Sequence, residues 1–270
     1  FVFLSSTRIS FPTILVGATK PTDTSGVVFA HTSAMAMDSK GRVHTCCAAV
    51  PNSWHVMGVT QGAGLSLKWF RDNFCAAEKQ TAALMDVDTY YLMDKGAAQV
   101  PVGANRLLYL PYLMGERTPH LDPNARGVFF GLSAMHTKRD MLRAVLEGVT
   151  YSLRDCVEVF REMGISVDDM MACGGGGTSP LWRSMLADLY NCPVKTVASK
   201  EGPSLGVAIL ASVGAGIYSS VPEACDAIVK TDKTQNPQAE NVPLYESYYQ
   251  LYRNIYPALK EQFATLAGLQ

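Results

Sequence analysis

Short apolar runs alternate with turn residues over the opening part of the chain. The runs at residues 14–17, 27–30, 43–50 and 54–59 predict four strands, with Gly, Pro, Asn, Asp and Ser clustered between them. Successive strands joined by such short turns pair in antiparallel fashion. The pattern therefore predicts that the chain opens with an antiparallel meander.

Helical spacing dominates the rest of the chain and is clearest over residues 138–162. Apolar side chains form one stripe there, Thr137 can cap the start, and Gly164 can end the helix. Residues 231–243 are polar and predict a surface segment. Other helices are predicted over residues 61–74, 78–93, 207–217 and 245–266, the last kinked or broken at Pro257, and strands over 107–113 and 127–132.

Four consecutive glycines at residues 174–177 form the most distinctive stretch of the sequence. The apolar run at residues 170–173 predicts a strand before this glycine loop, and Ser179 and Pro180 suit the cap and first turn of a helix after it. Bare backbone before a helix N-terminus suits a nucleotide. The stretch lacks the Lys of a P-loop and the full dinucleotide fingerprint. The glycines alone are equally compatible with a plain turn.

Composition narrows the classes of partner. The 270-residue chain is 48% apolar, which allows a sizeable core in one large domain or two small ones. A net charge of −1 argues against nucleic acid or an anionic membrane, and no apolar run approaches a membrane span. Charged residues make up only 17%, so part of the surface could be covered, for example by a second copy in a homodimer.

The cysteines indicate the cellular compartment of the protein, and the first residues indicate whether the chain is part of a longer protein. Seven Cys without a Cys-x-x-Cys pair predict buried free thiols in a reducing cytoplasm, and five scattered His residues predict no metal site. Residues 1–11 are apolar and Ser-rich but lack a cleavage pattern, so we expect a cut inside a longer protein.

Several motifs resemble the FGGY carbohydrate kinases. Residues 127–132 and 140–147 look like the second signature of this family, and residues 172–188 resemble its adenosine motif. The loop at residues 112–120, Tyr-Leu-Met-Gly-Glu-Arg-Thr-Pro-His, is similar to that of the xylulose kinases within the family. The resemblance implies an α/β fold, an actin/hexokinase-like (ribonuclease H-like) ATPase domain whose mixed sheet opens with the meander and is flanked by helices.

The resemblance also implies a reaction. In the family, a sugar hydroxyl takes the γ-phosphoryl group of ATP with assistance from Mg²⁺, in a cleft between two domains. Residues 21–270 resemble the C-terminal, nucleotide-binding domain, and residues 1–20 are a remnant of uncertain structure. The implied acceptor is a ketopentose, D-xylulose, held mainly by an N-terminal domain, and the implied product is xylulose 5-phosphate.

Seven residues match positions that contact the nucleotide in the family. They are Thr24, Ser25 and Gly26 of a hairpin at the phosphate tail, Gly64 against the nucleotide, and Gly175, Gly176 and Gly177 of the adenosine loop. Trp182 lies on the apolar stripe of its helix, so we expect it to pack in the core rather than stack on the base.

Two departures from the family pattern matter. Asp23 stands where the hairpin motif usually has Gly, and its carboxylate would repel phosphate oxygens unless Mg²⁺ or a turned-away side chain intervenes. Residues 1–20 contain no Asp or Glu, so no residue is assigned as catalytic base and the chain is expected to be inactive alone. The alternative is a degenerate, non-catalytic nucleotide-binding or protein-interaction module. The opening strands disfavour a dinucleotide-dependent oxidoreductase.

Overall fold

The computed structural model describes residues 14–18, 25–199 and 202–269. The strands are β1 (Ile14–Ala18), β2 (Gly26–Thr32), β3 (His44–Cys47), β4 (Trp54–Thr60), β5 (Leu108–Leu110), β6 (Val128–Phe130), β7 (Met170–Cys173), β8 (Val194–Val197) and β9 (Thr231–Gln235). The helices are α1 (Ala63–Phe74), α2 (Ala76–Met85), α3 (Thr89–Ala97), α4 (Lys138–Glu162), α5 (Gly174–Thr178), α6 (Pro180–Tyr190), α7 (Gly202–Gly214), α8 (Val221–Ile228) and α9 (Val242–Gly268).

A seven-stranded mixed sheet organises the described residues, in the order β3-β4-β2-β1-β7-β8-β9. The pairs among β1 to β4 are antiparallel, whereas β7 runs parallel to both β1 and β8. Strands β5 and β6 form a separate antiparallel pair. The predicted mixed sheet with an antiparallel opening is therefore confirmed.

The order of the opening strands differs from a simple meander. Strand β2 pairs with β4 along seven residues, and the short strand β3 lies outside β4 at the edge of the sheet. β4 is apolar and largely buried toward its end, whereas β3 is half-exposed to exposed. The longer apolar strand therefore takes the inner position, and the strand predicted over residues 43–50 shrinks to β3.

Helix α4 lies at the centre of the fold and has the predicted bounds. The backbone N–H and the hydroxyl of Thr137 both donate to the Asp140 carboxylate, at 2.7 and 2.6 Å, which fixes the first turn. Gly164 has a φ of +78° just past the end, a conformation that glycine adopts without strain. Val149 and Phe160 are fully buried, and burying such a side chain stabilises the fold by about 1.5–3 kcal/mol.

Three predicted elements have different bounds in the structure. The strand predicted over residues 107–113 is only β5, because Pro111 cannot donate to a ladder. The helix predicted over residues 78–93 is two helices, α2 and α3, separated at Asp86, whose φ is +53°. The helix predicted over residues 207–217 begins earlier, as α7.

The C-terminal region also departs from prediction. The polar segment at residues 231–243 contains the edge strand β9, whose side chains are mostly exposed and whose backbone pairs with β8. Helix α9 continues through Pro257. Pro257 lies on the exposed face, so the carbonyl group that it leaves unpaired one turn earlier can accept from water.

All seven cysteines are free thiols, but they are not all buried. Cys46 and Cys47 are exposed because they lie on the edge strand β3, so the predicted burial is wrong for this pair. Among the helices of the described residues, none is both long and apolar enough to cross a membrane.

Candidate functional site

The sheet brings three of the predicted nucleotide-binding segments to one edge. Gly17 of β1 pairs with Val27 at the start of β2 and with Cys173 at the end of β7. Gly26 in turn pairs with Thr60 at the end of β4. Open α/β sheets bind ligands at the carboxyl ends of their parallel strands. Strands β2 and β7 lie two strand spacings apart, about 10 Å, which one nucleotide can bridge.

Of the hairpin residues, Gly26 begins β2, Ser25 directly precedes it, and Thr24 lies outside the described residues. A Cβ at Gly26 would lie 2.8 Å from the side chains of Ala63 and Leu153 and 3.0 Å from that of Thr60. Gly26 is therefore fixed as glycine by close packing of the protein itself. Ser25, half-buried beside it, keeps its hydroxyl and backbone N–H as candidate phosphate donors.

Gly64 is half-buried in the first turn of α1, the helix that follows β4. The helix begins after Gly62, where a Cβ would overlap the carbonyl oxygen of Pro111. A turn glycine and a point of close approach are equally compatible with the sequence here. The structure shows that Gly62 makes its close approach to the chain's own backbone.

The predicted glycine loop is a short helix, α5, and its glycines differ in their surroundings. A Cβ at Gly177 would lie 2.6 Å from the carbonyl oxygen of Ala172, so the fold requires glycine there. The nearest atoms to a Cβ at Gly176 would be those of the Trp182 ring at 3.6 Å, an ordinary contact, and Gly175 has no neighbour within 4 Å. Gly175 therefore faces open space, Gly176 lies against the Trp182 ring with room for a Cβ, and Gly177 has no room for one.

The start of α6 closes the other side of the glycine stretch. Ser179 caps this helix and accepts a hydrogen bond from the backbone N–H of Trp182 at 3.0 Å, as its sequence position predicts. Trp182 is 6% exposed, and its indole N–H donates to the Thr150 hydroxyl at 2.9 Å. The prediction that Trp182 packs in the core is confirmed.

Asp94 of α3 lies next to the glycine stretch, and the sequence did not single it out. Burial raises the pKa of its carboxyl, and a hydrogen bond with Ser179 opposes that rise. Asp94 therefore lies beside the glycine stretch with a polar group available at its rim. An acidic residue within a polar helix gives no sequence signal that would separate it from a solvated one.

Glu116 is a buried carboxylate beneath the junction of β4 and α1, and it too was missed. It is 3% exposed and accepts hydrogen bonds from the Thr60 hydroxyl at 2.6 Å, the Gln61 N–H at 3.0 Å, the Arg117 N–H at 2.6 Å and the Ser152 hydroxyl at 3.2 Å. Burial raises its pKa to about 7, although these bonds oppose the rise. A polar loop at residues 115–123 is predicted either as solvated or as a functional surface, and a solvated loop does not account for this residue.

The described residues contain no group of three His, Cys, Asp or Glu side chains arranged to hold a metal ion. What this edge offers is backbone N–H groups, the Ser25 hydroxyl and open space at Gly175. Such a surface suits a ligand with a flat, partly apolar part and an anionic part.

Comparison with known proteins gives this site a family context. Residues 20–215 match the C-terminal domain of the FGGY family of carbohydrate kinases. The chain is 38% identical to the xylulose kinase of Bacillus subtilis over 88% of its own length and 46% of that protein. It is 36% identical to the gluconokinase of Bacillus licheniformis over 86% of its own length and 45% of that protein. The chain thus spans about half the length of these relatives.

Solved structures agree with the fold described above. The ligand-bound xylulose kinase of Lactobacillus acidophilus superposes with a TM-score of 0.81 at 26% identity, over 95% of this chain and 49% of that one. The glycerol kinase of Plasmodium falciparum with ADP superposes with a TM-score of 0.71 at 16% identity, over 96% of this chain and 47% of that one, which shows the fold alone. The actin/hexokinase-like α/β fold predicted from the sequence is confirmed.

Proposed function

The chain belongs to the FGGY family of carbohydrate kinases, and we propose that it forms the nucleotide-binding domain of a kinase that transfers the γ-phosphoryl group of ATP to D-xylulose. Residues 21–270 make up this domain, and residues 1–20 precede it. The residues that bind the sugar belong mainly to an N-terminal domain outside these residues. The catalytic carboxylate also comes from outside these residues. The domain alone binds ATP without transferring its phosphoryl group.

The open space at Gly175, next to Gly176 on the Trp182 ring, is the observation that supports this proposal. A base and ribose need space that no side chain occupies, and Gly175 provides it at the carboxyl edge of the sheet, while Gly176 adds no side chain of its own. Gly177 supports the same surface from beneath by letting α5 approach β7 closely. We therefore assign the adenosine part of ATP to this stretch.

The phosphate tail belongs on the opposite side of β1, at the start of β2 and of α1. Thr24 and Ser25 contribute hydroxyl donors, and the first turn of α1, with Gly64, contributes free backbone N–H groups. Gly26 allows the strand to lie close enough to α1 for one phosphate chain to contact both. Mg²⁺ would arrive bound to the ATP phosphates, since Mg²⁺ is usually held by substrate phosphates and few carboxylates.

D-Xylulose is the proposed acceptor because the loop at residues 112–120 resembles that of the xylulose kinases. Gluconate is the acceptor to test against it, given the similarity to a gluconokinase. The free thiols of all seven cysteines fit a reducing cytoplasm as the place of action.

Two measurements test the proposal. Calorimetric titration of the 270-residue chain should show binding of ATP and ADP and no binding of NAD. The chain should then be joined to the N-terminal domain of the Bacillus subtilis relative and assayed with D-xylulose and with D-gluconate. Transfer to D-xylulose in preference to gluconate is expected. ATP binding without transfer to either sugar would favour a non-catalytic nucleotide-binding module.

A further inference from the structure

A single carboxylate joins the end of β4 to helix α4. The Thr60 hydroxyl donates to Glu116 Oε2 at 2.6 Å. The single proton of the Ser152 hydroxyl is within reach of two acceptors, the Thr60 oxygen at 2.8 Å and the same carboxylate oxygen at 3.2 Å. The Gln61 N–H donates to Oε1 at 3.0 Å. Glu116 thus holds both residues on either side of the peptide bond where the chain leaves the sheet for α1.

The hydroxyl groups that the carboxylate accepts from are removed from bulk solvent. Thr60 and Ser152 are both 0% exposed, so in the intact fold Glu116, and not bulk water, is the charged acceptor beside them. A buried donor left without an acceptor is destabilising, which would drive the junction toward another geometry. The conformation of residues 60–62 therefore depends on Glu116.

This junction carries the phosphate side of the proposed ATP site. Thr60 pairs with Gly26 across the sheet, and Gln61 precedes the first turn of α1, where Gly64 lies. The glycine stretch on the adenosine side is held separately, since the Arg183 guanidinium donates to the carbonyl oxygens of Gly177 and Thr178. The two halves of the site thus rest on different supports.

We propose that Glu116 is a positioning residue, whose carboxylate holds the β4–α1 junction in the geometry that binds the phosphate tail of ATP. It acts through the backbone of residues 60–64 and does not touch the nucleotide itself. This inference rests on the proposed function. It adds that the loop at residues 112–120, whose sequence resembles that of the xylulose kinases, also supports nucleotide binding through Glu116.

Other titratable groups lie around Glu116, and a test must distinguish their effects from the effect of Glu116. They are Tyr112 and Arg117 in the same loop as Glu116, Asp155 and Cys156 on α4, and Tyr252 on α9. Asp155 offers a matched control. It is 6% exposed, burial likewise raises its pKa to about 7, and its carboxylate accepts from the Tyr249 hydroxyl at 2.7 Å, away from the junction.

The test compares ATP with adenosine, because only ATP has the phosphate tail. Binding of both ligands is measured by calorimetric titration at fixed ionic strength on the wild-type chain, Glu116→Ala, Glu116→Gln and Asp155→Asn. Glu116→Ala should weaken ATP binding by about tenfold or more, as expected for loss of bonds to a charged acceptor, and change adenosine binding by less than about twofold. Glu116→Gln keeps one acceptor oxygen and should restore part of the loss. Asp155→Asn should leave the ratio of the two affinities unchanged.

Each outcome separates the inference from the proposed function. A wild-type chain that binds neither ligand would refute the proposed function and the inference with it. If the wild-type chain binds both, equal weakening of ATP and adenosine in the Glu116 variants, or no change in either, would overturn the inference alone. Thermal unfolding of each variant shows whether it is folded, and Glu116→Gln carries the test if Glu116→Ala does not fold.

Discussion

The two halves of the proposed nucleotide site use glycine for different physical reasons. At the β4–α1 junction and the start of β2, the space beside Gly62 and Gly26 is filled by the chain's own backbone and side chains. In the glycine stretch after β7, Gly175 borders open space and Gly176 makes only an ordinary contact with the Trp182 ring. The first segment is built by close packing, whereas the second leaves room for a ligand. Substitutions in the first segment should therefore lower the stability of the fold, whereas substitutions in the second should weaken nucleotide binding.

The largest effect on stability is expected at Gly62. A Cβ there would overlap the carbonyl oxygen of Pro111, so Gly62→Ala should lower the free energy of unfolding by about 3 kcal/mol or more. Urea unfolding measures the change. Gly175→Ala is the control and should change stability by less than about 1 kcal/mol, because a Cβ at Gly175 meets no atom within 4 Å. Equal stability of the two variants would remove the proposed distinction.

The largest effect on binding is expected at Gly176. Gly176→Val places a side chain in the space assigned to adenosine and should weaken ATP binding by about 100-fold or more, with stability changed by less than about 1 kcal/mol. The ATP-induced shift in melting temperature reports the loss. Gly177→Ala is the counterpart, and it should cost about 1–3 kcal/mol of stability because of the 2.6 Å approach to Ala172. An unchanged melting shift in Gly176→Val would count against the site.

Glu116 should make stability depend on pH in a direction that Glu116→Gln removes. Burial raises its folded-state pKa to about 7, above the ordinary value of 4.5, so its contribution is fully present below about pH 4.5 and is lost as pH rises through 7. The free energy of unfolding of Glu116→Gln relative to wild type should therefore rise by about 3 kcal/mol between pH 4.5 and 7.5. Urea unfolding across this range measures it. If the difference in free energy of unfolding between Glu116→Gln and wild type does not change with pH, burial does not raise the pKa of Glu116.

The smallest effect is expected at Asp23, which lies outside the described residues. Asp23→Gly removes a carboxylate next to the hairpin residues assigned to the phosphate tail and should tighten ATP binding by about threefold, more at low salt than at high salt. Calorimetric titration at two salt concentrations measures the change. Asp72→Gly is a control for the loss of one negative charge elsewhere. Weaker ATP binding in Asp23→Gly would mean that this carboxylate helps to bind the nucleotide.

The sequence predicts elements whose signals are local. Helix α4 has its predicted bounds because its stripe, the Thr137–Asp140 cap and Gly164 all lie within the element or beside it. The order of β3 and β4 depends instead on which strand buries more apolar surface against the rest of the sheet. That competition is decided by tertiary packing, which the spacing of apolar residues does not record.

The site likewise combines features with a local sequence signal and features that only tertiary packing determines. The glycine stretch is recognisable from its composition, but only the fold shows that Gly177 faces Ala172 while Gly175 faces open space. Glu116 could not be predicted because its partners Thr60 and Ser152 are 56 and 36 positions away along the chain. A polar loop with two prolines gives no sign that one of its carboxylates is buried beneath the β4–α1 junction.

The central claim is that one nucleotide spans the edge from the glycine stretch to the start of β2. A crystal structure of the chain with Mg·ADP tests it most directly. We expect the base and ribose against Gly175 and Gly176, and the phosphates within hydrogen-bonding distance of Ser25 and the first turn of α1. ADP bound elsewhere, or contacting only one of these two segments, would contradict the account.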